Sequence, residues 1–491
     1  MAEARPASIA TRTLRGTAWA YSSYVGGQIA VLLSTAILAR LLDPDDFGLV
    51  AAALVFIYLL ETISDLGLGP ALVISKEDDL EEKSETVFAF TVLMGVGLSL
   101  ATALLGPLAA LFFNQDGLAI LLPVLGLNFT LRALGATHYA LAQKRIDFRS
   151  RTAAEIADVI VRAITGIGLA LAGFGAWALV GGYLAGTAVW VVTLWLLVPW
   201  RPGLKPKRTH LGRMLRFGGA LTVVDILAAI INQVDYAFVG HVLGATALGL
   251  YALGFRLPEL LIANFAIVAG KVLFPAFAGV APGALDRAFL VSLRYTLLIT
   301  LPMAVALVVL AHPLTTAIFG DKWSDAAPVA QVLTLYALAV TIGIPAGTAY
   351  KATGRAGVLL KLAVPRAILA VTAIAVFVHE GIVAVALCQT AVAGLFALIG
   401  IGLASHLLEV GIGPIWRAIW APFLAAAGMA AVLVPIERAI SSPWPVLVLG
   451  GAAGGCVYLA LVWLFARDTL RHLRATAFAG RQAPPDLARA A

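Results

Sequence analysis

Between Ala18 and Phe465 the sequence returns repeatedly to apolar runs of about 20 residues, the length an α-helix needs to cross a hydrocarbon core about 30 Å thick. Fourteen such runs would occupy roughly 280 residues and leave only short connectors and tails. Composition points the same way: 61% of the 491 residues are hydrophobic and 12% charged, with a mean hydropathy of +0.95. Soluble domains carry about 25% charged residues. An ordinary soluble globule is excluded, and the predicted fold class is an all-α polytopic membrane protein of about 14 transmembrane helices.

The predicted spans are 17–39, 47–65, 87–112, 118–140, 155–173, 176–198, 217–240, 249–278, 289–310, 326–349, 359–378, 382–404, 416–435 and 444–465. Several contain proline, among them Pro107, Pro123, Pro258, Pro302 and Pro345, which helices in hydrocarbon tolerate when neighbouring groups recover the freed carbonyls. No cleavable signal peptide is expected, because Met1 to Arg15 leads into a long span without a processing site. With the N-terminus placed in the cytoplasm, 25 Lys and Arg fall in connectors and tails on that side, and only Arg40, Lys322 and Arg438 on the other. That asymmetry supports an even number of spans and two cytoplasmic ends. The external turns at 114–117, 173–175 and 379–381 are minimal, and the longest external segment is 311–325. No extramembrane catalytic domain fits in them.

An internal repeat divides the chain. Leu42, Gly48 and Leu49 recur as Leu243, Gly249 and Leu250, displaced by 201 positions, and the same displacement relates Leu14-Arg15 to Leu215-Arg216. Two related six-helix units follow, 1–199 and 217–404, joined by a basic cytoplasmic connector, 200–216. Because six is even, both units insert with the same orientation, so a pseudo-two-fold axis along the membrane normal relates them. Spans thirteen and fourteen, within 405–465, are an appendage, and 466–491 is a basic cytoplasmic tail.

Six basic residues fall inside predicted spans: Arg132, Arg162, Arg256, Lys271, Arg294 and Arg366. Each costs about 2.5–3.5 kcal/mol near a helix centre, so each should face a wet cavity or a partner. Asp158 lies four residues before Arg162 and Glu259 three after Arg256, spacings that put both members of a pair on one helix face. These pairs either line a cavity or are structural ion pairs. Lys271 and Arg294 either line the cavity or snorkel to headgroups. Arg132 and Arg366 have no acid at three or four positions on either side, which makes them the strongest candidates for a mobile anion. Span seven adds a polar face with Asp225, Asn232 and Asp235, and Tyr236 beside it. Asp235 either couples transport to a proton or sodium gradient or serves as a fixed structural partner. Asn128, four residues from Arg132, is the counterpart in the first half. Arginine forks bind phosphate oxygens bidentately, so the pattern favours a phosphate or pyrophosphate carrier with a lipid tail.

Other features imply less. The acidic run Glu77 to Glu85 reads as a solvated cap, and the connector 201–216 as a topology signal that meets anionic lipids rather than nucleic acid. Cys388 and Cys456 read as small core side chains. The seven histidines form no metal-ligand cluster, and His138 reads as a packed side chain. No cofactor, metal site or catalytic residue is expected.

The stretches ARLLDPDDFGLVAAALVF (Ala39 to Phe56) and ISDLGLGPALV (Ile63 to Val73) carry a resemblance, as do INQVDYAFVGHVLGATALGLYALGFRLPEL (Ile231 to Leu260) and VLFPAFA (Val272 to Ala278). The chain resembles the polysaccharide flippase branch of the multidrug/oligosaccharidyl-lipid/polysaccharide exporter superfamily. The resemblance implies a V-shaped, alternating-access transporter in the bacterial inner membrane, with a cationic cavity for undecaprenyl-diphosphate-linked oligosaccharide and polysaccharide assembly proteins as neighbours. The rival readings are a drug or metabolite cation antiporter of the same fold, a membrane scaffold, and a glycan polymerase or transferase. A cation antiporter would want an acidic cavity, whereas the unpaired buried charge predicted here is basic.

Overall fold

The computed structural model describes residues 26–64, 66–75, 79–203, 226, 228–265, 269–270, 273, 277, 279, 283–355 and 357–465. Asp225 and Lys271, both singled out above, lie outside the described residues, as does most of the basic connector.

In chain order the helices are α1 (Gly26–Leu41), α2 (Pro44–Ser64), the short α3 (Leu68–Ile74), α4 (Leu80–Phe113), α5 (Leu118–Lys144), α6 (Phe148–Leu171), α7 (Ala176–Leu197), α8 (228–243) and α9 (Ala245–Pro258). Then come α10 (Leu285–Val309), α11 (Ala311–Phe319), α12 (Ala327–Ile342), α13 (Ile344–Ala352), α14 (Gly357–Phe377), α15 (Ile382–Leu407), α16 (Ile412–Ala439) and α17 (Pro443–Phe465). Every predicted span is helical where it is described. Eleven stretches are long and apolar enough to cross a bilayer by length and composition. The other three predicted spans coincide with α1 and α8, which border undescribed residues, and with α6, whose charges break the apolar window. This is the all-α polytopic membrane fold expected.

Several boundaries differ from the apolar runs, for a common reason. α6 begins seven residues before the predicted span because Asp147 caps it, accepting from the Ser150 amide at 3.1 Å and the Ser150 hydroxyl at 2.6 Å. α4 also starts early, and part of the acidic run forms its opening turns. Glu81 and Glu82 stand where the helix dipole favours anions, and Asp79 pairs with Lys83 at 3.5 Å. The segment 311–325 is more than a connector: α11 and a 3-10 turn, Asp321–Ala326, bury the Trp323 side chain completely. The cysteine reading needs correction, since Cys388 is half-buried and Cys456 is exposed on α17. An apolar run in a membrane helix addresses lipid as readily as protein, so apolarity alone does not place a side chain in the core.

The chain forms two compact units. One comprises Met1–Leu253 with Ala367–Val385, the other Gly254–Arg366 with Ala386–Ala491. In the first, Leu68, Leu72, Val87, Leu141, Leu194 and Trp200 form a core that ties α3 to α4, α5 and α7. In the second, Leu293, Leu297 and Leu301 of α10 pack with Ala425, Met429 and Leu433 of α16 and Val462 of α17. The Tyr458 hydroxyl of α17 donates to the Leu298 carbonyl at 2.7 Å. The two last spans are thus fastened to span nine by close packing and a hydrogen bond, the forces that hold helices together where lipid removes the hydrophobic drive.

The repeated glycines lie against each other inside the first unit. A Cβ at Gly48 would fall 2.5 Å from the Ala245 carbonyl carbon, and one at Gly249 would fall 2.9 Å from the Pro44 carbonyl carbon. Gly48 and Gly249 are 201 apart, as are Pro44 and Ala245, so the two contacts are copies of one another. Between them Thr246 donates its hydroxyl to Asp45, again 201 residues away. The first turns of α2 and α9 therefore cross backbone to backbone about a local two-fold.

Candidate functional site

The densest set of charges within the described spans is built on α2, α5, α6 and α7. Gly182 and Gly186 turn a small-residue face of α7 toward α6. A Cβ at Gly186 would come within 2.9 Å of the Asp158 carbonyl oxygen, and one at Gly182 within 2.8 Å of that of Arg162. The close approach fixes Asp158 and Arg162, one turn apart on α6, and their side chains form a fork. Arg162 Nη2 donates to both Asp158 oxygens, at 2.9 and 3.1 Å, and Nε to one of them at 3.3 Å. The same guanidinium lies 4.4 Å from the ring centroid of Tyr183 on α7.

Arg132 enters from α5 at roughly 18–21 Å from either end of that helix, near its middle. Its guanidinium carbon is 5.7 Å from the Trp190 ring centroid, and its Nε is buried without a hydrogen-bond partner. Trp190 has room because residue 135 is glycine: a Cβ there would meet the ring. The charges of Glu61 on α2 and Asp158 on α6 act on Arg132 across helices, together with the Tyr183 and Tyr58 hydroxyls. Glu61 is half-buried, and its carboxylate has no ion pair or hydrogen bond among the described residues. Close by on the same two helices, Thr187 donates to Asn128 at 2.9 Å and leaves the Asn128 amide nitrogen buried and unpaired.

The remaining candidates are spread over other elements. Arg256 pairs with Glu259 at 2.9 Å, at the turn where α9 passes into a π-helical turn, Glu259–Ala263. Arg294 on α10 has a buried Nε without a partner. Arg366 on α14 is half-buried and forms no ion pair among the described residues. On α8, Asp235 is buried. Its Oδ2 accepts from the Tyr251 hydroxyl at 2.8 Å and its Oδ1 from the Tyr236 amide at 3.0 Å, while the Tyr236 and Tyr251 rings meet edge to face. Asn232, one turn earlier, is exposed. His138 is wholly buried, its ring tilted by 30° against that of Trp195 and bonded through Nε2 to the Trp200 carbonyl. Among the described residues no group of three or more His, Cys, Asp or Glu could hold a metal ion.

Arg132, Arg162 and Asp158 therefore share one cluster, and four further side chains complete it: Glu61, Tyr58, Tyr183 and Trp190. Sequence alone does not single these out. The available signal was an acid inside an apolar span with an aromatic residue three positions before it, Tyr58 and Glu61, which a search for buried cations passes over. Glu61 adds a half-buried acid beside the basic residues that the sequence singles out. With Asp158 it brings the formal charge of the four ionisable groups to zero.

Comparison with known proteins gives this arrangement a context. Residues 37–328 match a family described as "Polysaccharide biosynthesis protein". The chain belongs to that family. Relatives include the lipopolysaccharide biosynthesis protein WzxC of Escherichia coli (strain K12), 28% identical over 75% of this chain and 76% of that protein. The succinoglycan biosynthesis transport protein ExoT of Rhizobium meliloti (strain 1021) is 27% identical over 95% and 96%. Among solved structures, a lipid II flippase MurJ in an inward closed conformation superposes with a TM-score of 0.76 over 92% of this chain and 99% of its own, at 15% identity. An inward-facing multidrug resistance MATE family transporter of the MOP superfamily gives 0.64 over 78% and 94%, at 16% identity. The family member described here thus has the fold of the multidrug/oligosaccharidyl-lipid/polysaccharide exporters.

Proposed function

We propose that this protein moves undecaprenyl-diphosphate-linked oligosaccharide units from the cytoplasmic to the periplasmic leaflet of a bacterial inner membrane by alternating access, for lipopolysaccharide or exopolysaccharide synthesis. The observation that carries the reading is Arg132, a guanidinium in the middle of a membrane helix with a buried N–H left unpaired. A permanently charged fork of donors held there at a cost of kilocalories finds its natural complement in phosphate oxygens. Family membership and the names of the relatives support a polysaccharide precursor, and the flippase-like fold supports a lipid-linked one. The bias of basic residues toward one set of connectors supports cytoplasmic termini. Chemistry on the glycan is left to other proteins, and this chain acts as a carrier.

Coupling is part of the proposal. Because Glu61 and Asp158 balance Arg132 and Arg162, an arriving anion enters a site of zero net charge. A proton on Glu61 would give the cluster a charge of +1 and favour the headgroup. Glu61 is thereby a better proton-coupling candidate than Asp235, whose carboxylate is already engaged by Tyr251 and Tyr236. A second reading, exchange of an organic cation, draws on the same unpaired Glu61.

Reconstitution in proteoliposomes with a fluorescent lipid-linked oligosaccharide separates the readings. The wild type is expected to move the lipid across, and Arg132→Ala to lose at least about tenfold of that rate with normal insertion. Exchange of cationic dyes without lipid movement would defeat the proposal.

A further inference from the structure

A second feature lies on the opposite faces of the same two helices. Leu134 of α5 and Val191, Val192, Trp195 and Leu196 of α7 enclose a cleft of about 370 Å³ that ends at Arg201. On each helix the cleft residue lies two positions from one in the charged cluster, Leu134 from Arg132 and Val192 from Trp190. Two positions is roughly 200° of helical rotation, so cleft and cluster face apart. Val192 and Leu196 are 55% and 76% exposed, so the cleft is open along its length. Water would fill a hydrocarbon-walled opening poorly; an alkyl chain fills it well.

The Arg201 end is different. Arg201 Nη1 donates to the Trp200 carbonyl at 2.7 Å and to that of Val198 at 3.3 Å, which anchors one side of the guanidinium. Its carbon sits 5.5 Å from the Trp195 ring centroid. The remaining N–H groups have no acceptor among the described residues, and the carboxylate of Glu85, which lies against Gly203, forms no ion pair with Arg201. A fixed cation with free donors thus stands at one end of an apolar slot, just beyond the C-terminus of α7.

We propose that this cleft binds one anionic phospholipid of the surrounding leaflet, an acyl chain along Leu134, Val192 and Leu196 and the phosphate on Arg201. A single guanidinium fork matches a single phosphate. The diphosphate of a lipid-linked sugar would demand more cations than Arg201, the one that lines the slot among the described residues. The site is distinct from the Arg132 cluster and stands whether or not the transport proposal does.

The test is native mass spectrometry of the delipidated full-length protein titrated with phosphatidylglycerol or phosphatidylcholine. One phosphatidylglycerol is expected to bind more tightly than phosphatidylcholine, and at least about tenfold more weakly in Arg201→Gln. Val192→Trp, which fills the slot without touching the charge, should abolish the same binding event, and Arg132→Ala should leave it in place. Unchanged phosphatidylglycerol binding in both Arg201→Gln and Val192→Trp would overturn the proposal. Equal affinity for the zwitterionic lipid, or displacement of phosphatidylglycerol by equimolar undecaprenyl diphosphate, would overturn it too.

Discussion

Within the proposed transport cycle single side chains set what the charged cluster does, and Glu61 is the first to test. Replacing it by Gln removes one negative charge from a four-member set that sums to zero. A headgroup diphosphate analogue is then expected to bind about tenfold more tightly, and the rate of lipid transport to change with it. Isothermal titration and flux assays on the same preparation check both, and an unaltered affinity would remove Glu61 from the site. The cluster was only partly legible in sequence. Arg162 with Asp158 and Arg256 with Glu259 could be paired from spacing because both partners sit on one helix. Glu61 and Arg132 are 71 residues apart, on helices whose rotation about their axes no periodicity in these uniformly apolar runs reveals. For the same reason the engagement of Asp235 by Tyr251, 16 residues on and in the next helix, emerges only from the folded chain.

Elements depend on two kinds of contact, close helix packing and capped ends. Gly186→Val should push α7 off α6 and scatter Asp158 and Arg162, costing at least about 1–3 kcal/mol by overpacking alone. Gly168→Ala on α6, which meets nothing within 4 Å, is the matched control. Thermal unfolding in detergent should separate the two variants by several degrees. At the start of α6, burial pushes the Asp147 carboxyl up, but hydrogen bonds from the Ser150 hydroxyl and amide and from the Arg149 amide outweigh it. With the Arg149 charge they hold the carboxyl below the usual range. A group depressed in the folded state adds stability that is fully present above its unfolded pKa and is lost as pH falls through the folded value. Asp147→Ala should therefore cost about 0.5–2 kcal/mol at neutral pH, with the gap closing below about pH 4. Span positions were legible because apolar length is a one-dimensional signal; helix starts were displaced because caps and first turns are polar. The α6 charges that hide it from an apolar window include Asp158 and Arg162 of the candidate site.

At the scale of the whole molecule the proposed alternating access makes the crossing of α2 and α9, inside the first unit, a point to test. Asp45→Cys with Thr246→Cys, introduced after Cys388 and Cys456 are replaced, should form a disulfide under mild oxidation because the native side chains already touch. Transport should stop on oxidation and return on reduction; undiminished transport with complete cross-linking would show that the crossing stays shut throughout the cycle. The displacement of 201 was readable from Gly48 and Gly249, but a repeat in sequence says only that two pieces are alike. That the like pieces meet each other required the fold.

A segment that docks onto the stretch it resembles leaves no slack at the seam. Each glycine is the landing place for the other stretch's backbone carbonyl, so even a single methyl at either one would prise the two first turns apart. Relieving one contact would leave its counterpart, 201 residues away, as tight as before.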